Sequence, residues 1–124
     1  MKTLVAFFEI PAVDFNRAIK FYETILNVKL ASVDCGHEKM AFFPEENGFC
    51  PGAISWAADN SFLPSKDGVL VSLNVDSIEK ASETISKLGG KILISKTKIE
   101  ADGRGYFSVF LDSEGNRVGL YSDR

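Results

Sequence analysis

Cysteine and histidine are almost missing from this sequence: Cys35, Cys50 and His37 are the whole supply. Two cysteines with no CxxC motif exclude a disulfide framework and the usual zinc-site spacings. They are expected as reduced thiols of a cytoplasmic protein, the alternatives being a bridge between the two and a redox-active Cys35 whose thiolate His37 would favour. Long hydrophobic runs are also missing, since none approaches the about 20 residues that span a bilayer. The apolar start MKTLVAFFEIPAVDF is broken by Glu9 and Pro11, so it reads as a strand entering a helix and not as a targeting signal. Excess positive charge is absent too. A net charge of −3 gives no pull on phosphate backbones or anionic lipid, so neither nucleic acid nor membrane is an expected partner.

What the sequence does have is an internal repeat. The segment FFEIPAVDFNRAIKFYETIL returns as LVSLNVDSIEKASETISKL, with Ser77, Ile78, Ala81, Ile85 and Leu88 opposite Asp14, Phe15, Ala18, Tyr22 and Ile25. Each segment reads as a strand, a turn and an amphipathic helix with apolar residues at helical spacing. Asp14 is placed to cap the first helix. Ser77 opens the second, with Asp76 and Glu79 at the positive end of its dipole. Gly89-Gly90 supplies a left-handed stop. Strands are expected at about 28–34, 39–44 and 52–58, and again at about 91–96, 105–111 and 117–122. The 124 residues thus read as one α+β domain of two modules, about 1–58 and 68–124, joined by a linker at about 59–67. Modules repeated in this way tend to face each other, and the surface between their sheets is a natural place for a small-molecule cavity.

Period-two alternation divides each strand into two faces. Phe8 and Ile10 oppose Phe7 and Glu9. Ile54 and Trp56 oppose Ala53, Ser55 and Ala57. Val71 and Leu73 oppose Leu70, Ser72 and Asn74, and Val118 and Leu120 oppose Arg117, Gly119 and Tyr121. The bulkier apolar set is expected under a helix, which leaves the mixed set for the concave face. A register slip of one residue would invert every assignment.

These pieces resemble a known family. The pattern Asp14, Arg17, Ala18, Phe21, Tyr22, the stretch MAFFPEENGFCPGAI and the ending GYFSVFLDSEGNRVGLYS are similar to the vicinal oxygen chelate superfamily. That group comprises glyoxalases, bleomycin resistance proteins and extradiol dioxygenases. The resemblance implies paired βαβββ modules forming a cup-shaped mixed sheet with helices outside, commonly as a homodimer. It also implies a divalent metal held by His, Glu or Gln on the first and last strand of each module, polarising substrate oxygens. The corresponding positions here are Phe7, Ser55, Leu70 and Gly119. None offers an imidazole or carboxylate, so no metal or other cofactor is expected.

Each candidate residue has a bland reading beside the functional one. Glu9 is the weak candidate for a buried base or a cation-binding carboxylate; alternatively it pairs with Arg17, Arg104 or Arg117. Arg104, flanked by glycines, could clamp an anion or be solvated. Phe7, Leu70, Tyr106 and Tyr121, with Ser55 and Ser72, could line a pocket for a planar ligand or be plain core. Tyr22 and Trp56 read as packing residues and His37 as a surface loop residue. Three functions stay open: a metal-free protein that binds or sequesters a small molecule in the cup, a lyase, isomerase or dioxygenase using a relocated metal or Glu9, and a non-catalytic interaction protein whose cup is filled by Phe7 and Leu70.

Overall fold

The computed structural model describes residues 4–101 and 105–124, so Arg104 lies outside the described residues. The fold is α+β, and the described residues form ten elements in the order β1 (Phe8–Pro11), α1 (Phe15–Leu26), β2 (Ala31–Asp34), β3 (Glu38–Phe42), β4 (Gly52–Ala57), β5 (Ser72–Asn74), α2 (Ile78–Lys87), β6 (Lys91–Lys98), β7 (Tyr106–Leu111) and β8 (Arg117–Ser122). This is βαβββ twice over. The chain divides into two units, Met1–Pro64 and Ser65–Arg124, within the stretch read as a linker. Each unit holds one mixed four-stranded sheet, ordered β1-β4-β3-β2 in the first and β5-β8-β7-β6 in the second. Among the described residues no helix is long and apolar enough to cross a membrane.

The helices start where capping chemistry puts them. The Asp14 side chain accepts from the Arg17 amide, and the Ser77 hydroxyl accepts from the Lys80 amide. Both end on a left-handed residue, Asn27 in α1 and Gly89 after α2. The amides of Val28 and Gly90 then return to the Glu23 and Ile85 carbonyls, which satisfies orphan acceptors of the last turn. This ending explains why β2 starts at Ala31 rather than near residue 28. The Val28 amide is used on the helix, and the Leu30 amide donates to Glu23 Oε2 at 2.8 Å.

In the first unit, α1 buries Ala18, Phe21, Tyr22 and Ile25 against the sheet. Ile10, Ala41 and Ile54 are buried on that same side. Tyr22 stands edge-on to Phe21 and to Phe43, and Phe43 meets Phe8, giving an aromatic cluster under the helix. Trp56 is half-buried there, with the Lys39 ammonium 4.7 Å from its ring and 6.0 Å from that of Phe15. In the second unit, Ile78, Ala81 and Ile85 of α2 are buried, as are Ser108, Phe110, Val118 and Leu120 of the sheet. The alternation expected for β1, β4 and β8 is therefore the one the fold adopts.

The strand opening the second module is shorter than its sequence implies. Valine and leucine at 69 and 70 are good strand formers, yet β5 covers only Ser72–Asn74. The reason lies in β8. The Gly119 amide donates to the Val71 carbonyl, but the Arg117 amide donates to Ser65 instead, leaving residue 69 without its ladder donor.

Asp112 organises the turn between β7 and β8. Its Oδ1 accepts from the amides of Glu114 and Asn116, each at 2.9 Å, and its Oδ2 accepts from Asn116 Nδ2 at 3.0 Å. Asn116 Oδ1 in turn accepts from the Ser65 amide at 3.1 Å. Gly115 takes the left-handed conformation that this tight turn requires. The clasp fixes the start of the second unit to its last strand.

Candidate functional site

The helix-free face of the first sheet follows from the strand register. Glu9 lies opposite Ala53, Ser55 opposite Met40, and Ala53 opposite Phe42, so these side chains share one face. Glu38, opposite Ala57, belongs to it as well, while Val33 and Ala31 complete it on β2. At its centre the Ser55 hydroxyl donates to Glu9 Oε1 at 2.7 Å. Ser55 is 6% exposed, whereas Glu9 is exposed. A nearly buried hydroxyl thus orients a carboxylate that reaches solvent. Glu9 is held by this serine, not by Arg17, and among the described residues its Oε2 accepts no hydrogen bond.

The second unit has an equivalent face. Ser72 is opposite Gly119 and Asn74 opposite Tyr121, while Tyr121 is opposite Phe107 on the next strand. Ser72 and Tyr121 are brought onto one face as expected, with Val109 beside them opposite Gly119. Tyr106 is not among them. It alternates with Phe107, and the Lys96 ammonium sits 4.5 Å from its ring. Lys96 also donates to Glu79 Oε2 of α2 at 3.0 Å, which places Tyr106 on the helix-bearing side. That hydrogen bond holds the exposed Glu79 carboxyl below its usual pKa. The expectation that Tyr106 shares a face with Tyr121 is therefore corrected: Phe107 holds that position. The signal was present, because buried Ser108 and Phe110 share Tyr106's parity.

Phe7 and Leu70 are each 47% exposed and lie just before β1 and β5. Tyr22, by contrast, is 0% exposed. His37 is in the exposed β2–β3 turn, its carbonyl accepting from the Ala58 amide. Asp59 is held below its ordinary pKa chiefly by hydrogen bonds from Ser61, with a smaller contribution from His37. Both cysteines are free thiols; the Cys50 sulfur lies 3.2 Å from the Gly52 carbonyl oxygen and 3.4 Å from that of Phe43.

With two such modules described, the family can be stated. The chain belongs to the Glyoxalase/Bleomycin resistance protein/Dioxygenase superfamily, whose sequence model matches residues 4–120. Solved structures agree on the fold. Glyoxalase I from Zea mays matches with a TM-score of 0.71 at 22% identity over 93% of this chain, which spans only 44% of the maize chain. A glyoxylase/bleomycin resistance protein/dioxygenase domain from Frankia sp. EAN1pec matches with a TM-score of 0.74 at 15% identity, each chain being covered in full (100%). A glyoxalase family protein from Bacillus cereus matches with a TM-score of 0.71 at 16% identity, over 99% of this chain and 96% of the other. No curated protein sequence matches the chain.

The residues present do not fit the metal that this superfamily commonly holds. Phe7 and Leu70 have no donor atom, and the Ser55 hydroxyl is committed to Glu9. Gly119 has no side chain, and a Cβ there would require Ser72 Oγ to turn aside. Among the described residues no three His, Cys, Asp or Glu side chains come together as a chelating group. A transition-metal site needs several such donors converging on one point.

Proposed function

We propose that this protein binds or sequesters a small organic molecule without a divalent metal, the ligand resting against the helix-free sheet face that carries Glu9 and Ser55. One observation carries the reading. Where relatives with metal chemistry need chelating side chains, this chain has Phe7, Ser55, Leu70 and Gly119, and its one nearby carboxylate is already oriented by Ser55. The half-exposed Phe7 offers apolar surface to a ligand. The same face supplies Met40 and Phe42, a thioether and an aromatic ring suited to a planar or irregular apolar body. Ligand sites are commonly of this kind, mostly apolar with a few placed polar groups.

Metal titration tests the proposal. A specific site at 100 times its Kd would stabilise the fold by about 2.7 kcal/mol, or roughly 10 °C in a domain of this size. Zinc, manganese, nickel and ferrous iron, added singly to chelator-free protein, are expected to move the melting temperature by less than about 1 °C. Mass spectrometry of protein purified without chelators is expected to find no stoichiometric metal. A shift of many degrees that EDTA reverses would return the protein to metal-assisted lyase, isomerase or dioxygenase chemistry.

A further inference from the structure

We infer that the ligand face of the first unit selects a cation, an alkylammonium or amidinium group joined to an apolar body, through the free oxygen of Glu9. The inference rests on the binding function proposed above and specifies the chemistry of its occupant. Three observations support it.

First, Glu9 is aimed. Its Oε1 is taken by Ser55, whose near-complete burial fixes the hydroxyl, so the carboxylate holds one orientation while Oε2, which accepts no hydrogen bond among the described residues, keeps its lone pairs for an incoming donor. A preoriented acceptor loses little conformational freedom when it binds. Second, the charge on this face has one sign. The register puts Glu9 and Glu38 on it, and its remaining strand positions are uncharged. Lys39, the lysine of β3, is on the opposite side between Trp56 and Phe15. Among the described strand positions of this face, an anionic group beside Glu9 would meet a carboxylate and no basic side chain, whereas a cation would meet complementary charge. Third, among the described strand positions of this face no side chain other than Ser55 competes for Glu9. Ala53 and Met40 offer no side-chain donor, and Phe42 adds a π-face that attracts cations but not anions.

Three isosteric probes separate charge from shape: 2-phenylethylamine, 2-phenylethanol and phenylacetate, each titrated into isotopically labelled full-length protein and followed by NMR. The ammonium is expected to shift the amides of residues 8–10 and 53–56 and to bind about tenfold more tightly than the alcohol, the scale of a charge-assisted hydrogen bond. Phenylacetate is expected to bind most weakly. Glu9→Gln keeps an acceptor for Ser55 and removes the charge, so it should erase the preference for the ammonium while leaving the alcohol unaffected. Should Glu9→Gln fail to fold, salt dependence of the wild type decides. Ammonium affinity should fall severalfold between 20 mM and about 500 mM NaCl, with the alcohol unchanged. If alcohol and ammonium bind equally at these residues, or if salt has no effect, cation selection is wrong and small-molecule binding stands. If none of the three probes shifts these residues, both are overturned.

Discussion

Tyr22→Ala is expected to be the most damaging single substitution in the first unit. The side chain is fully buried and stands edge-on to Phe21 and Phe43, at the point where α1 meets the sheet. Truncation removes the ring and leaves a cavity that the two aromatic neighbours fill only in part. The cost of such a large-to-small change is about 3–5 kcal/mol. At roughly 4 °C per kcal/mol for a chain of this size, the melting temperature should fall by about 12–20 °C. Tyr22→Phe keeps the ring and should cost only about 1 kcal/mol, the net worth of a hydroxyl's hydrogen bond. The pair of variants also tests role. If Tyr22 serves packing, Tyr22→Phe binds the ammonium probe as the wild type does; a binding loss at unchanged melting temperature would assign the hydroxyl to the site.

The second large effect is expected at Asp112. This carboxylate is 3% exposed and receives two backbone amides and one side-chain amide from residues 114 and 116. Alanine would leave those donors facing a void. The buried Asn116 is the costliest of them, because water cannot easily replace the lost acceptor. Asp112→Ala should therefore destabilise the protein by about 3 kcal/mol. Asp112→Asn retains one acceptor but turns an amide group toward Asn116 Nδ2, and about 1–2 kcal/mol is expected. Hydrogen exchange provides the local signature. Amides of residues 65 and 114–117 should lose protection in Asp112→Ala, while those of β3 and β4 keep theirs at temperatures well below melting. Uniform loss across both units would mean that the turn does not act as a local clasp.

How far the sequence could be read depended on whether a local rule governed the feature. Helix starts at Asp14 and Ser77 were legible because capping is a matter of a few neighbouring atoms. The faces of β1, β4 and β8 were legible because one helix covers one side of each sheet, which forces alternation. Two boundaries were not legible, and both failed for a non-local reason. Residues 28–30 look strand-like, but Glu23 holds two of their amides. Val69 and Leu70 look strand-like, but the donor they need on Arg117 is spent on Ser65. Tyr106 was a different failure. Its aromatic character suggested a pocket, while its parity with Phe110 had already placed it under the helix. The Glu9–Ser55 hydrogen bond joins strands that are adjacent in space but distant in sequence, so no spacing rule could show it. Met40 and Phe42 were overlooked because MAFF contains no polar residue to mark its two faces.

The close approach of Gly119 and Ser72 constrains the routes by which this sequence could change. A glutamate or histidine arriving at 119 would first have to turn the exposed serine hydroxyl aside, and its Cβ would still lie close against that of residue 72. Replacing Ser72 by glycine would remove both contacts. The two positions are thus coupled, and an effort to install metal chemistry on this scaffold has to choose residue 72 together with residue 119.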